Sequence, residues 1–386
     1  MMTTQLKAFI DGRVDGFIND LETLVSIDSG SGDPVGIGAV ADFLCARLQA
    51  IGFHARVERL GEHGVPCLHA CNGPAGAIAD IMFLGHMDTV FPPGEATRRP
   101  FAVDGGRATG PGVSDMKGGL LVALHVLEAL HHAGELDRLA IRVCFNGDEE
   151  VGSKASRQWI EENARHSRRV FVFEPCRPEH RFVLNRKGGG GFTITAKGIS
   201  AHAGVEPEKG ANAAVEISHQ VLAVQRFNDE SPDGVSANVT VLHSGKKTNI
   251  IPEEACAKVD VRVAGRDQVA GVETFFRALP ERTHDRKVRL SVAGGVDRPP
   301  MEADERTLEL WRLFEEQAGE LGMDIGFITT GGCSDGNFSS ALGIPTIDGM
   351  GAIGANAHRS DEYVDLDSVS AQILLIAAVC RKIGGQ

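Results

Sequence analysis

The chain contains no apolar run approaching the roughly 20 residues that a membrane-spanning helix requires. Its opening residues, MMTTQLKAFIDGRVDGFIND, carry charges where a secretion signal would carry an apolar stretch. Neither a membrane partner nor export is expected from this pattern. Basic residues are in short supply too: Lys and Arg number 39 against 52 Asp and Glu, a formal net charge of −13. A field of that sign repels phosphate backbones, so nucleic acid is not an expected partner. It says little about small anions, because a few arginines in a cleft override the average surface field.

Cysteine pairs at metal-binding or redox spacing are also lacking. The 8 cysteines (Cys45, Cys67, Cys71, Cys144, Cys176, Cys256, Cys333 and Cys380) are scattered without a CxxC motif. Reduced thiols in a cytoplasm are therefore expected, with Cys67 and Cys71 the one pair close in sequence. There is no internal repeat, no low-complexity tract, no GKS/T ending of a phosphate loop and no dinucleotide fingerprint after a strand. What is present is 386 residues, 42% hydrophobic and 24% charged, enough for two globular domains.

Apolar residues recur at helical spacing from Leu6 to about Ile27 and from Ile37 to Ile51, on either side of the turn-rich SGSGDP segment. Asp80 to Leu84, Leu139 to Phe145 and Arg169 to Phe173 are short apolar runs of the kind buried in a parallel sheet. Between the first two lies an apolar helix from Gly119, long enough to cross over that sheet, which makes an α/β unit. Near Arg186 the pattern changes. Gly191 to Lys197, Val235 to Leu242, Ala257 to Val263 and Lys287 to Val292 alternate like half-exposed strands. Helical stretches at Ala211 to Phe227 and Asp267 to Arg282 complete a β-α-β-β-α-β order, the ferredoxin-like signature. Helices from Glu305 to Leu321 and from Leu366 to Ile383 follow. The expected fold is an α/β domain made of residues 1–185 and 297–386, with an α+β domain, residues 186–296, inserted.

Five clusters carry candidate chemistry. In LGHMDTV, His86 ends the first buried strand, where ligands collect in open α/β sheets, and Asp88 can orient its ring. A satisfied structural histidine has the same pattern. In GPGVSDMKGG, Asp115 sits among glycines before the crossover helix, suited to bridge two cations or to cap that helix. In FNGDEEVGS, Asp148, Glu149 and Glu150 follow the second strand. They read as a solvated acidic turn, or as one metal ligand beside one proton acceptor. Glu174 in VFEP ends an apolar strand, where a carboxylate is costly unless paired or bound to a cation. His358 lies in the polar loop ANAHRSDEYV. Two imidazoles, one bridging carboxylate and two terminal carboxylates suffice for two zinc ions with open positions for water.

The segments GHMDTV, GPGVSDMKGG, GDEEVGS, FEP, SAHAG, TNIIP, GGCSDGNF and AHRSDEYV together resemble the peptidase M20 family of metallopeptidases and deacylases. The resemblance is strongest to its carboxypeptidase G2-like members, relatives of the aminoacylases and acetylornithine deacetylases. It implies a di-zinc exopeptidase-type domain in which Asp115 bridges the metals, His86 and Glu174 bind one, and Glu150 and His358 bind the other. Cobalt or manganese also suits that donor set. The resemblance further implies that Glu149 is general base and then general acid, and that Asp88 supports His86. The inserted domain would act as a lid and dimerise, with His202 of SAHAG stabilising the oxyanion in the partner subunit's site. Asn249 would meet the substrate carbonyl and Arg262 its carboxylate, with Ser334, Arg181, Arg186 and Thr330 as further substrate contacts. A turn histidine and a solvent-facing arginine are the plain alternatives for His202 and Arg262.

The implied reaction is hydrolysis of an amide next to a free carboxylate, removing a glutamate-like C-terminal residue from an N-acyl amino acid or short peptide. The alternatives are an N-acyl-amino-acid deacylase of acetylornithine or succinyl-diaminopimelate type, a non-catalytic M20-like binding protein, and a phosphatase-like di-metal hydrolase. The last lacks a basic phosphate cradle.

Overall fold

A computed structural model describes residues 2–74 and 76–385. The chain divides into two compact units, one running to Asn185 and then through Glu302–Thr329 and from Ser334 onward, the other comprising Arg186–Met301 and Thr330–Cys333.

The first unit is built on a six-stranded sheet in the spatial order His54–Leu60, Val65–Cys71, Ile141–Asn146, Ile81–His86, Val170–Val172, Thr346–Ile347. The last four strands run parallel to one another. Their residues are buried on both faces, as a sheet covered by helices demands. The first two strands form an antiparallel hairpin that joins the sheet edge antiparallel to Ile141–Asn146. The sequence pattern does not single out this hairpin. HARVERL is mostly charged or polar because its strand lies at the sheet edge, and Pro66 interrupts the apolar signal of its partner.

Leu6 to Ile27 reads as one helix but forms two, Met2–Asp11 and Val14–Val25, parted at Gly12, a poor helix former. The helix Pro34–Ala50 begins with proline in its first turn and is capped by the Asp33 carboxylate, which accepts from Val35 N at 3.0 Å and Gly36 N at 3.1 Å. The crossover helix Gly118–His132 is buried along most of its length. Its Gly119 is required: a Cβ there would stand 1.8 Å from the Phe173 carbonyl oxygen. This contact lets the helix start lie close over the strand ends. Phe83 packs on Phe171 and Phe173 beneath, each such ring contributing about 1.5–3 kcal/mol by burial.

The second unit is a four-stranded antiparallel sheet in the order Ser236–Ser244, Glu254–Val263, Gly188–Lys197, Arg289–Arg298. The helices Ala213–Glu230 and Arg266–Ala278 supply the β-α-β-β-α-β order. Alternate strand residues such as Phe192, Ile194, Val259 and Val261 are buried with Phe276, whose ring stacks on Phe192 at 4.0 Å. Among the described residues no helix is long and apolar enough to cross a membrane.

Candidate active site

The parallel strands of the first unit bring three of the five clusters, those of His86, of Glu149 and Glu150, and of Glu174, to one sheet end, because each directly follows or closes such a strand. His86 is the last residue of Ile81–His86 and is buried. Its Nε2 lies 3.1 Å from Asp115 Oδ1 and 3.7 Å from Glu174 Oε1. The other Asp115 oxygen, Oδ2, is 3.2 Å from His358 Nε2, which is also 3.2 Å from Glu150 Oε2. Asp115 thus stands between the two imidazoles, with Glu174 on the His86 side and Glu150 on the His358 side. The backbone of His358 is left-handed, with φ 67°, a conformation costly for a residue with a Cβ.

Asp88 lies against His86 through both its backbone and its carboxylate. The nearest acceptor for His86 Nδ1 is the Asp88 backbone carbonyl at 3.0 Å, and the carboxylate is farther, at 3.4 Å. That carboxylate also accepts from Glu149 N at 3.1 Å, Glu150 N at 3.2 Å and Ser31 Oγ at 2.7 Å. It anchors the acidic loop. Asp148, the first acid of that loop, is buried and accepts from Ala155 N at 2.7 Å and from the Ser156 hydroxyl, so it is a structural group. Asn146 donates to Asp335 at 2.9 Å, and Asp335 also accepts from Ser153 Oγ.

Sequence reasoning missed Glu362. It is fully buried and accepts from Gly112 N at 3.2 Å, Ser114 N at 2.8 Å and Asp115 N at 2.9 Å, so it shapes the glycine loop that presents Asp115. Its signal was faint: an acid beside Asp361 in a polar loop looks solvated until the fold brings distant backbone donors to it. Ser334, expected at the substrate, is buried instead. Its hydroxyl donates to Asp348 at 2.6 Å and accepts from Gly336 N at 3.1 Å, which leaves it committed inside the first unit. Arg181 pairs with Glu179 and Asp324.

The electrostatics of the cluster are those of a cation site. Burial opposes charge on His86, but Asp115 and Asp88 outweigh it and raise its pKa well above the imidazole range. His358, beside Asp115 and Glu150, is raised to about 10. Burial pushes Asp115 up, yet His358 and His86 hold it below the ordinary carboxylate range. Burial raises Glu150, and it pushes Glu362 up to about 7 against its three backbone donors. The set draws positive charge. The ligand atoms of His86, Asp115 and Glu150 lie within 4.8 Å of one another, and Glu150 Oε1 is buried with no hydrogen-bond partner among the described residues. A carboxylate oxygen so placed fits a metal ion, as does the mix of imidazole and carboxylate donors.

In the second unit His202 lies on the short strand Ala201–His202, which pairs with Ile250–Ile251. The Asn249 carbonyl accepts from Ala203 N at 3.0 Å, so the fold brings these two expected residues side by side. His202 Nδ1 accepts from Gly204 N at 3.2 Å, which puts the neutral ring's proton on Nε2, free to donate. Arg262 directs its fork at Asp260, with Nε at 3.1 Å and Nη2 at 3.0 Å, and its Nη1 lies 3.3 Å from Cys333 Sγ. Arg186 is buried and donates to the Gly332 carbonyl at 3.3 Å.

Known proteins are similar to this chain over most of its length. The profile of peptidase family M20/M25/M40 matches residues 82–382. Carboxypeptidase G2 of Pseudomonas sp. (strain RS-16) is 33% identical over 383 residues, spanning 95% of this chain and 89% of that protein. A succinyl-diaminopimelate desuccinylase of Gluconacetobacter diazotrophicus is 26% identical over 389 residues, spanning 95% of this chain and 96% of that protein. Among solved structures, the YXEP protein of Bacillus subtilis, a dinuclear metal-binding peptidase of the M20 family, superposes with a TM-score of 0.71 at 16% identity, covering 97% of this chain and 99% of that one. The profile spans most of the chain and the identity to carboxypeptidase G2 extends over nearly all of it, so the protein belongs to peptidase family M20/M25/M40, a family of metal-dependent hydrolases.

Proposed function

We propose that the protein is a carboxypeptidase-type amidohydrolase with two zinc ions, removing a C-terminal, glutamate-like amino acid from a small N-acyl or peptide substrate. The observation that carries the reading is the juxtaposition of His86, Asp115, Glu150, Glu174 and His358 with Glu149 on the next position of the same loop. His86 and Glu174 would hold one ion, Glu150 and His358 the other, and Asp115 both. Metals there would supply Lewis-acid charge to the amide carbonyl and acidify water.

The chain's own residues do the rest. Glu149 takes a proton from the attacking water at its carboxylate and returns it to the leaving amine nitrogen. Asp88 keeps Glu149 in place through its backbone N–H. His202 Nε2 donates to the developing oxyanion from a partner subunit, a donor typically worth about 3 kcal/mol. Arg262 suits the substrate carboxylate through the part of its guanidinium that Asp260, paired with Nε and Nη2, leaves over, and Asn249 suits the carbonyl. On this reading Arg186–Met301 is a lid and dimerisation unit, the enzyme is a homodimer, and its free cysteines suit a reducing cytoplasm.

A deacylase reading keeps the same centre and the same arginine and is favoured by the desuccinylase relatives. Hydrolysis by the zinc-reconstituted protein of N-acyl amino acids, dipeptides and folyl-type glutamates, with Glu149→Gln as control, tests both. Release of a C-terminal amino acid supports the first. No turnover of any substrate by protein with two metals bound refutes both.

A further inference from the structure

The opposite end of the six-stranded sheet carries charge of the other sign. Glu174 lies just beyond the end of Val170–Val172, whereas Arg168 and Arg169 lie just before its start, and Pro345 precedes the parallel neighbour Thr346–Ile347. At strand rise, the chain from Arg169 to Glu174 covers roughly 16 Å. Between these strand starts and the first turns of the helix Glu305–Leu321 is a cleft of about 380 Å³, wholly within the first unit. Its volume falls in the range of small-molecule sites.

Three guanidiniums line it, those of Arg168, Arg169 and Arg306, on a chain whose net charge is −13. Acidic neighbours do not cover them. Asp80 reaches Arg168 Nε only at 3.5 Å, and its other oxygen accepts from Ala140 N at 3.0 Å. Half-buried Arg169 has a single long contact, Nη1 to the Asp80 carbonyl at 3.5 Å. Burial and the neighbouring Arg168 both oppose its charge. Arg306 has no hydrogen bond or ion pair among the described residues. It also stands in the first turn of its helix, where the dipole disfavours a cation, so the helix itself gives no reason for it. Glu309, one turn further on, is the one acid of the lining. Cations that repel one another around one cleft are stabilised by an anion placed between them.

The cleft is built on fixed backbone. Arg168 N donates to the Ala79 carbonyl at 2.9 Å, the Arg169 carbonyl accepts from Met82 N at 2.8 Å, and Val170 N donates to the Pro345 carbonyl at 2.9 Å. Leu310, Leu313 and Pro345 give it an apolar floor beside the charges. A ligand here meets a wall already ordered, which lowers the entropy lost on binding.

We propose that this cleft binds a phosphate-bearing small molecule, its phosphate among Arg168, Arg169 and Arg306 and its apolar or ring portion against Leu310, Leu313 and Pro345. A phosphate monoester presents three acceptor oxygens, one toward each guanidinium, where a carboxylate presents two. The site lies at the sheet end away from the cation centre, and its assignment does not depend on the reaction there.

The test is calorimetric titration of the zinc-loaded protein with inorganic phosphate, phenyl phosphate, benzoate and a hexaglutamate peptide, comparing wild type with Arg306→Ala and Arg169→Ala. Phenyl phosphate is expected to bind more tightly than inorganic phosphate or benzoate. Its Kd should rise at least about tenfold in each variant, the loss of one charge-assisted contact. Phosphate held by the metal ions instead is unaffected by Arg306→Ala, so a Kd unmoved by that exposed substitution overturns the site. Arg306→Ala decides if Arg169→Ala, half-buried, fails to fold. Absence of phenyl phosphate binding to wild type overturns the proposal, as does tighter binding of hexaglutamate, which would make the cleft a docking surface for an acidic protein segment.

Discussion

The Asp88 carboxylate receives the backbone N–H of Glu149 at 3.1 Å, so the proposed proton carrier is held by its main chain. Glu149→Gln keeps that hydrogen bond and removes only the base. A fall in kcat of about 10² to 10⁴ is expected, with metal content and KM nearly unchanged. A variant retaining a tenth of the activity would give the base to another group. Asp88→Ala should lower kcat and also lower the unfolding temperature, because three donors lose their acceptor.

If His202 acts across a dimer, Glu149→Gln and His202→Ala proteins, each inactive alone, should regain activity when unfolded and refolded together. Random assortment makes half of the dimers hybrids with one complete centre, so about a quarter of wild-type activity is expected. No recovery, with hybrids demonstrated by mass, would place His202 in its own subunit's site or outside the chemistry.

Ser334 and Arg262 should separate in their effects. Ser334→Ala removes a buried donor to Asp348 and is expected to cost about 1–3 kcal/mol of stability with KM unchanged. Arg262→Ala should raise KM or lower kcat/KM by about tenfold or more with little change in unfolding temperature. The reverse pattern would return Ser334 to the substrate.

Metal-free protein should lose stability as the pH rises from mildly acidic to alkaline. Glu362, raised to about 7 by burial, and His358, raised to about 10 by Asp115 and Glu150, both have folded pKa values above their unfolded ones. Each therefore contributes stability that is full below its unfolded pKa and is lost as pH climbs through the folded value. Unfolding temperatures of chelator-treated protein between pH 5 and 10 should decline. Adding zinc should reverse the decline at pH 8, since it takes the place of the protons on the imidazoles. A flat profile without metal would mean that the carboxylates relax away from the two histidines.

Much of the centre was legible because parallel strands are short apolar runs and their ends are marked by abrupt polar residues: His86 after IMFLG, Glu149 and Glu150 after IRVCFN, Glu174 after VFVF. The sheet-edge hairpin was not, because its residues face partly outward and its docking on Ile141–Asn146 joins segments remote in sequence. The surroundings of Ser334 were hidden for a related reason. Its motif sits among site residues, but the hydroxyl turns inward to Asp348, and direction is invisible in a linear pattern. Glu362 was hidden because a buried carboxylate is recognised by its donors, and those are the amides of Gly112, Ser114 and Asp115.

That last arrangement has a practical side. The loop bearing Asp115 is completed by an acceptor 247 positions further along the chain. Cutting the protein at an exposed turn between the two yields halves of which neither can shape the loop, so each piece is silent by construction. Fused to two partners, the halves would report their meeting as regained turnover, which makes this buried glutamate the natural seam for a split-enzyme sensor.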